Sequence, residues 1–248
     1  MTLPRNKKTD SYNRYRLKPH EIVALEKMRE ADTRNILVVG DLHEPFCLDG
    51  YLEFCQEQYE SYNCNQVIFI GDILDNHAFS YHESDPDGMS AGNELQESIK
   101  KIQKWYEAFP KADVCIGNHD RMCSRKRFTA GIPNAWIKSY NEVLGTPNWN
   151  WVESVVYDNV LYEHGEGGQA QTKAKNNLMS SVCGHTHTEA YCRWYVGKKY
   201  KIFGMQVGCG VDSKSYAAAY AKNFKKQAIG CSVVLNNGTL PINLLMPL

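Results

Sequence analysis

The sequence predicts an α/β fold built on mixed β-sheets. Three short apolar runs, rich in β-branched residues, each end in a glycine and a polar residue, and helical segments separate the runs. Strand, helix, strand, helix, strand is the order of an α/β domain, and such sheets collect ligands at the carboxyl ends of their strands. Later apolar segments follow one another without intervening helices. They predict either a mixed sheet or a second sheet.

The first three predicted strands are residues 36–39, 67–70 and 114–116. Their continuous apolar character is typical of strands that are buried on both faces. Between the second and third strands, apolar residues recur at spacings of three or four, which predicts an amphipathic helix over 92–108. Residues 48–60 show a less regular helical pattern.

Three later segments are also predicted to be strands: 151–163, 201–207 and 230–235. No repeat or linker-like tract divides the chain. We therefore expect one domain over residues 31–248, preceded by a basic N-terminal extension with a short helix over residues 1–30.

The composition is that of a soluble globular protein. The chain has 248 residues, of which 43% are hydrophobic and 23% charged, and its 28 basic side chains balance 28 acidic ones. This balance excludes binding to nucleic acid by bulk charge alone, although local basic patches remain compatible with it. No apolar run approaches the roughly 20 residues of a membrane span, and no apolar signal segment follows the N-terminus. We expect a cytoplasmic protein without a membrane partner.

The charges are segregated along the chain, although they sum to zero. Residues 41–99 carry thirteen Asp and Glu and no Lys or Arg, whereas residues 190–226 carry eight Lys and Arg and one Asp. The nine cysteines include no C-x-x-C pair. Their odd number and scattered positions predict reduced, mostly buried thiols.

Side chains of metal-ligating types follow each strand that is predicted to be buried. In chain order they are Asp41-Leu42-His43, Asp72-Ile73-Leu74-Asp75, Asn118-His119-Asp120, His164-Gly165 and Gly184-His185-Thr186-His187. Carboxylate and imidazole together suit Mn²⁺, Fe²⁺ or Zn²⁺ better than Ca²⁺. These donors are more than one ion needs, which predicts two metals roughly 3.5 to 4 Å apart with a bridging Asp.

These five motifs, in this order, resemble those of the calcineurin-like metallophosphoesterase superfamily over about residues 36–207, and more closely those of its phage-borne and prophage-borne members. The resemblance implies a four-layer sandwich of two mixed β-sheets flanked by helices. It also implies a dinuclear centre at the sheet edge, with Mn²⁺ as the first expectation and Fe, Zn, Ni or Co as alternatives. If the chain is phage-encoded, its location would be the host cytoplasm.

The resemblance also assigns roles to individual residues. One metal would be held by Asp41, His43, Asp72 and His187, and the other by Asp72 as the bridge together with Asn118, His164 and His185. His119 would protonate or stabilise the leaving group, and Asp75 would orient His119 through a contact outside the inner shell.

Sequence differences from related subfamilies narrow the range of expected substrates. Protein Ser/Thr phosphatases carry Arg directly after the G-D-x-x-D acid, where this chain has Asn76, which argues against a phosphoprotein substrate. Residues 121–127 contain four cations. They indicate either a phosphate-binding cluster, in which Arg121 would bind substrate, or a solvated helix face.

The remaining features each leave two interpretations open. Residues 76–93 form a long polar segment, which is typical of a lid or a substrate wall, and its His77 and His82 are expected to be solvated more often than in contact with substrate. The downstream aromatic residues could stack on bases but are expected mostly in the core; they are Trp136, Tyr140, Trp149 and Trp151. The turn 207–212 and the segment 216–220 could form the interface of a homo-oligomer or close the domain.

The sequence therefore predicts a metal-dependent phosphodiesterase, either a nuclease or a nucleotide phosphodiesterase, with a phosphodiester and plausibly nucleic acid as its partner. A phosphomonoesterase for nucleotides or small metabolites is the alternative. A non-catalytic scaffold is a third hypothesis, but scaffolds of this superfamily typically lack the catalytic histidine or a ligand, and this chain retains His119 and all seven ligand positions.

Overall fold

The computed structural model describes residues 18–23, 27, 33–81, 87–212, 214 and 226–247. The chain divides into two compact units, Met1–Thr33 and Arg34–Leu248. In the first unit the described residues 19–23 are helical. The predicted division at residue 30 stays a prediction, because most of the first unit lies outside the described residues. His82 and residues 216–220 lie outside them as well.

Eleven strands are described in the second unit. They are β1 (Ile36–Val39), β2 (Gln66–Phe69), β3 (Ala112–Cys115), β4 (Trp149–Val152), β5 (Ser154–Tyr157), β6 (Val160–Glu163), β7 (Ser180–Cys183), β8 (Tyr191–Val196), β9 (Lys201–Gln206), β10 (Gly230–Leu235) and β11 (Leu240–Leu245). They form a six-stranded sheet in the order β11-β10-β1-β2-β3-β4 and a five-stranded sheet in the order β5-β6-β7-β9-β8. Both sheets are mixed, with β1 to β4 parallel in the first and β6, β7 and β9 parallel in the second.

Five α-helices accompany the strands in the described part of the second unit: α1 (Tyr51–Ser61), α2 (Ala91–Ala108), α3 (Met122–Thr129), α4 (Tyr140–Leu144) and α5 (Ala170–Asn177). The helix predicted over 92–108 is confirmed as α2, whose first turn is capped by the Ser90 hydroxyl. The helix predicted over 48–60 begins later, because Gly50 has a left-handed backbone with φ of 86°, a conformation that does not continue a helix.

The side chains of β1 alternate between the two faces of the first sheet, and both faces are buried. Leu37 and Val39 belong to the core that the sheet shares with α1 and α2, where Trp105 is buried. Ile36 and Val38 face the opposite way, into a second core formed with residues of the other sheet. Helix α5 packs on the other face of that sheet. A Cβ at Gly204 of β9 would lie 2.7 Å from the carbonyl oxygen of Ala170, the first residue of α5. The predicted sandwich of two mixed sheets flanked by helices is confirmed.

The predicted strand segment 151–163 comprises three strands. Asp158 and Asn159 have φ of 52° and 60° and turn β5 back onto β6 as a hairpin. Asp and Asn tolerate this left-handed conformation, which a two-residue hairpin turn of type I′ requires at both positions. The remaining strand segments, 201–207 and 230–235, are confirmed as β9 and β10.

Two expectations about burial were wrong. Trp136 is 80% exposed, whereas Trp149 is only 2% exposed and lies in the core as predicted. His77 is buried rather than solvated, because it begins a short 3-10 helix whose first two amides are held by the Glu94 carboxylate of α2. All nine cysteines are free thiols, and seven are buried, as predicted. No helix in the described part of the chain could cross a membrane.

The hydroxyl group of Tyr51 fixes the end of β1. It donates a hydrogen bond to the Gly230 carbonyl of β10 at 2.7 Å and accepts one from the Gly40 amide at 3.1 Å. Both partners are buried with Tyr51, and Gly40 directly precedes Asp41. The hydroxyl group therefore holds the turn that carries the first predicted ligand.

Tyr51→Phe is expected to lower the free energy of unfolding by about 1 to 3 kcal/mol, because a buried amide and a buried carbonyl each lose a partner. Urea denaturation measures this change. Tyr200→Phe, at a half-exposed position, is the control and should leave the free energy of unfolding unchanged. Equal stability of Tyr51→Phe and the wild type would contradict this role.

Candidate metal centre

Five strands end at one edge of the sandwich, and the predicted site residues follow them. Asp41 and His43 follow β1, Asp72 and Asp75 follow β2, Asn118 and His119 follow β3, His164 follows β6, and His185 and His187 follow β7. Because β1 to β3 are parallel to one another, and β6 is parallel to β7, the carboxyl ends within each sheet lie at the same edge. The structure thus brings all nine residues together.

Asp41, His43 and His187 form the first group of potential ligands, with one ligand atom from each within 4.8 Å of the others. The Asp41 Oδ2 atom lies 3.1 Å from His187 Nε2 and accepts a hydrogen bond of 2.7 Å from the His185 amide. The Asp41 Oδ1 atom is buried and has no hydrogen-bond partner among the described residues. A carboxylate oxygen that is buried in this way is costly unless a cation or a donor satisfies it.

The second group consists of Asp72, His164 and His185. The His164 Nε2 atom lies 3.1 Å from Asp72 Oδ2, 3.0 Å from Asn118 Oδ1 and 3.2 Å from His185 Nδ1. His43 of the first group approaches the same Asp72 oxygen, with its Nε2 atom at 3.6 Å. Asp72 Oδ2 therefore lies between the two groups, which is the position that a bridging ligand requires.

Asp75 orients two histidines by different atoms. Its carboxylate contacts His43 Nδ1 at 2.7 Å, whereas its backbone carbonyl accepts a hydrogen bond of 2.6 Å from His119 Nδ1. A carboxylate on the far nitrogen of a histidine fixes the ring and turns the other nitrogen towards a metal. The predicted contact between Asp75 and His119 is present, but its hydrogen bond runs through the backbone. The carboxylate contacts His43 and also lies 3.6 Å from His119 Nδ1.

Two motif glycines allow the close approach of these side chains. A Cβ at Gly117, the residue before Asn118, would lie 2.1 Å from Asp72 Oδ1, and a Cβ at Gly184 would lie 2.2 Å from Asp41 Oδ1. Real Cβ atoms do not approach so closely. Gly117 therefore makes room for a carboxylate from the neighbouring strand, and Gly184 for one from the other sheet.

Three of the nine residues have a left-handed backbone: His43 with φ of 50°, Asp72 with φ of 47° and His185 with φ of 71°. This conformation is uncommon for residues other than glycine and costs of order 1 kcal/mol each or more. The Asp72 carbonyl accepts hydrogen bonds from the amides of Leu42 and His43, which hold the β1 and β2 turns against each other. The surrounding hydrogen bonds thus maintain a strained geometry at the candidate site.

Two further residues support the site, and the motif analysis gave them no role. The buried Asp120 carboxylate accepts hydrogen bonds from the amides of Leu74 at 3.1 Å and Gly117 at 2.9 Å, which join the turns after β2 and β3. The Asn76 side chain donates to the His119 carbonyl at 2.9 Å. Asp120 directly follows Asn118 and His119 in the third motif. This position is the sequence signal from which a supporting role could have been inferred.

Burial and neighbouring charges set the protonation of the site. Burial raises the pKa of Asp72, but the imidazoles of His164, His119 and His43 outweigh burial and lower that pKa overall. Burial lowers the pKa of His164, and the carboxylates of Asp72 and Asp41 outweigh it and raise that pKa. The pKa of His43 is lowered, first by burial and then by its histidine neighbours. A cation at Asp72 would therefore displace a proton from His164, since histidine ligates in its neutral form.

The predicted substrate-binding residue Arg121 forms ion pairs with two exposed carboxylates, those of Glu153 and Glu166. Helix α3, which begins one residue later, carries the other three cations of the cluster, Arg125, Lys126 and Arg127. A phosphate bound by Arg121 would have to replace these carboxylates. A substrate-binding role for Arg121 stays a prediction.

The residues at this edge fit a pair of divalent cations. They supply carboxylate, carboxamide and imidazole donors in two groups that meet at Asp72, and one buried Asp41 oxygen has no described donor. This mixed nitrogen and oxygen set suits borderline divalent ions of the first transition row.

A model of the family named calcineurin-like phosphoesterase matches residues 34–201. The chain belongs to this family. The predicted family is thereby confirmed, and a metal-dependent phosphoesterase activity is supported by the family and by the two ligand groups. The closer resemblance to phage-borne members stays a prediction.

The solved structures to which the chain is similar share little sequence with it. Vacuolar protein sorting 29 from Cryptosporidium parvum is 14% identical, with 83% of this chain and 86% of that chain covered and a TM-score of 0.44. Yfce, a phosphoesterase from E. coli, is 12% identical, with 81% and 87% covered and a TM-score of 0.38. The Pseudomonas putida nuclease MPE is 14% identical, with 84% and 86% covered and a TM-score of 0.34. No curated protein sequence matches the chain.

Asp120→Asn is expected to lower the free energy of unfolding by about 1 to 3 kcal/mol, because the Leu74 and Gly117 amides donate to different carboxylate oxygens and the NH₂ group that replaces one of them cannot accept. It should also weaken metal binding, since those amides belong to the turns that carry Asp72 and Asn118.

Urea denaturation and isothermal titration with Mn²⁺ measure the two effects. The matched control is Asp49→Asn, at an exposed position, which should change neither quantity. Wild-type stability and metal affinity in Asp120→Asn would show that the two hydrogen bonds do not position the site.

Proposed function

We propose that the protein is a dinuclear metal-dependent phosphodiesterase. The observation that carries the proposal is the position of Asp72 Oδ2 between His43 Nε2 and His164 Nε2, at 3.6 and 3.1 Å. That oxygen lies close to both ligand groups, each of which takes residues from both sheets, and this arrangement suits a bridging carboxylate. Family membership supports the phosphoesterase chemistry.

In this proposal Asp41, His43, Asp72 and His187 hold one divalent cation, and Asp72, Asn118, His164 and His185 hold the other. Mn²⁺ is the proposed ion, and Fe, Zn, Ni or Co are alternatives. Bound cations would lower the pKa of a water molecule and neutralise phosphate oxygens, so that phosphorus can be attacked in line. Asp75 keeps the His43 ring oriented through the 2.7 Å contact with Nδ1.

His119 is the proposed general acid for the leaving group. Its Nδ1 atom contacts the Asp75 carbonyl, which accepts but cannot donate, so Nδ1 carries a proton and Nε2 is free to hold the second one. Burial lowers the pKa of His119, but the carboxylates of Asp72 and Asp75 outweigh burial and raise that pKa overall, which favours the protonated form. The Asn76 contact holds the backbone of His119 in place.

The preference for a diester rests on a feature that a phosphomonoester needs and that the described residues of this site do not supply, an unpaired cation beside the metals. A monoester dianion is best gripped by a cation close to the metals. Position 76 carries Asn, whose amide is engaged with the His119 carbonyl, and the Arg121 guanidinium is paired with two carboxylates. A diester carries one negative charge fewer and depends less on such a cation.

Removal of the bridging carboxylate tests the metal assignment. Asp72→Asn is expected to lower the bound Mn²⁺ from two ions per chain to one or none, because the substitution takes a charge from both ligand groups. Elemental analysis after gel filtration measures the stoichiometry. Asp113→Asn, a buried aspartate in β3, is the matched control and should retain two ions. Two tightly bound ions in Asp72→Asn would contradict the bridge.

The substrate preference is tested by the rates of Mn²⁺-supported hydrolysis of bis(p-nitrophenyl) phosphate and p-nitrophenyl phosphate. We expect the diester to have the larger kcat/KM. His119→Ala should retain its metal and lose about 10² to 10⁴-fold in rate, the usual contribution of a general acid.

A preference for the monoester would replace the proposal by a phosphomonoesterase acting on nucleotides or small metabolites. Full activity of His119→Ala would remove His119 from the mechanism. Two bound metals without hydrolysis of either ester would favour a non-catalytic scaffold.

A further inference from the structure

The most exposed part of the described domain adjoins the candidate site. Residues 128–139 are all exposed, including Phe128 and Trp136, whose side chains are each 80% accessible. We name residues 121–139 the basic excursion, since residues 121–138 contain five Lys and Arg and no Asp or Glu. Phe128 and Trp136 do not belong to either hydrophobic core, so packing of the domain does not account for these large aromatic side chains.

Both ends of the basic excursion are tied to the backbone beside His119. At its start, the Met122 amide donates to the His119 carbonyl at 3.1 Å. At its end, the Tyr140 hydroxyl donates to the Asp120 carbonyl at 3.0 Å, and the Tyr140 ring stacks on Trp151. The excursion is therefore fixed to the leaving-group side of the candidate centre.

Two cations of the excursion, Arg125 and Lys126, are available to an anionic ligand. Within the described residues neither forms an ion pair with an acidic side chain, in contrast to Arg121. Arg127 donates to the Ile132 carbonyl, and Lys138 interacts electrostatically with Glu142. Arg125 and Lys126 lie over the ring of Tyr81, at 5.0 and 4.2 Å from its centroid. Tyr81 is 52% exposed and belongs to the loop after β2, so this cationic surface joins the loops that follow β2 and β3.

We propose that the basic excursion binds single-stranded nucleic acid and delivers its phosphodiester backbone to the metal centre. The inference rests on the proposed phosphodiesterase function and names its substrate class. Arg125 and Lys126, which have no acidic partner among the described residues, suit a phosphate backbone. The exposed Phe128 and Trp136 suit unpaired bases, which can stack on any aromatic face. A duplex offers no free base faces to these rings. The zero net charge of the chain fits a local surface of this kind better than binding by bulk charge.

Fluorescence anisotropy tests the proposal with a labelled oligothymidine of about 12 nucleotides, within the site sizes usual for single-strand binding surfaces. The Mn²⁺-loaded proteins all carry His119→Ala so that the probe is not hydrolysed. Phe128→Ala with Trp136→Ala is expected to weaken binding about tenfold or more, because base stacking on each aromatic ring is lost. Arg125→Ala with Lys126→Ala should weaken binding and reduce the slope of log Kd against log salt by about 1.

Matched controls lie in the connection between β8 and β9 and at the end of α5. Lys198→Ala with Lys199→Ala removes two exposed cations, and Leu178→Ala removes an apolar side chain that is 73% exposed. Both controls should bind the oligothymidine as the parent does. With His119 restored, the excursion variants should lose more activity on the oligonucleotide than on bis(p-nitrophenyl) phosphate, whereas the controls keep both activities.

Three outcomes would overturn the inference: binding that is equal in the excursion variants and the parent, tighter binding of a duplex of matched length than of the single strand, or binding of the excursion to phosphatidylserine vesicles in place of the oligonucleotide. These outcomes are distinguishable from failure of the proposed function. That failure appears as absent hydrolysis of bis(p-nitrophenyl) phosphate by the wild type, whereas the binding assay does not depend on turnover.

Discussion

The buried carboxylate of Asp72 is the constraint on which the site depends. Its Oδ1 atom accepts the His119 amide at 2.8 Å, and its Oδ2 atom faces His164 from the second sheet. Its backbone carbonyl accepts two amides from the turn after β1. A buried anion without such partners would cost several kcal/mol or more. The partners come from three other strand ends, those of β1, β3 and β6, so this one residue links the two sheets at this edge.

The surrounding fold accommodates the buried Asp72 carboxylate through a strained backbone and a closely packed glycine. Asp72 itself has a left-handed backbone, and Gly117 leaves the space that the carboxylate needs. Asp120, a second buried acid, ties the turns after β2 and β3 together, and its pKa is raised, first by burial and then by the charge of Asp72. Four acids, Asp41, Asp72, Asp75 and Asp120, lie at this edge, and the charge of Asp72 raises the pKa of both Asp75 and Asp120 after burial does. Cations that neutralise the acids would therefore stabilise the fold as well as the chemistry.

The connections that follow these strand ends differ in structure and in proposed role. The turns directly after β1, β2 and β3 are short, buried and held by hydrogen bonds, as the geometry of a ligand set requires. The longer chain after His119 leaves this rigid edge as α3 and the exposed residues that follow it, and it returns at Tyr140. A rigid centre next to an exposed basic segment separates the groups that would react from the groups that would select the substrate.

The sequence by itself determined the α/β class, the strands that deliver the site and the identity of all nine residues, because buried strands and their glycine-acid turns leave strong local patterns. The family followed from the order of these motifs. Only the tertiary structure decided which atoms meet. The Asp75 carboxylate contacts both His43 and His119, and its carbonyl accepts a hydrogen bond from His119. Asp120 and Asn76 bind backbone groups of neighbouring turns. It also decided that Trp136 is exposed and His77 buried. Such contacts join residues far apart in the chain, so no local period or spacing encodes them.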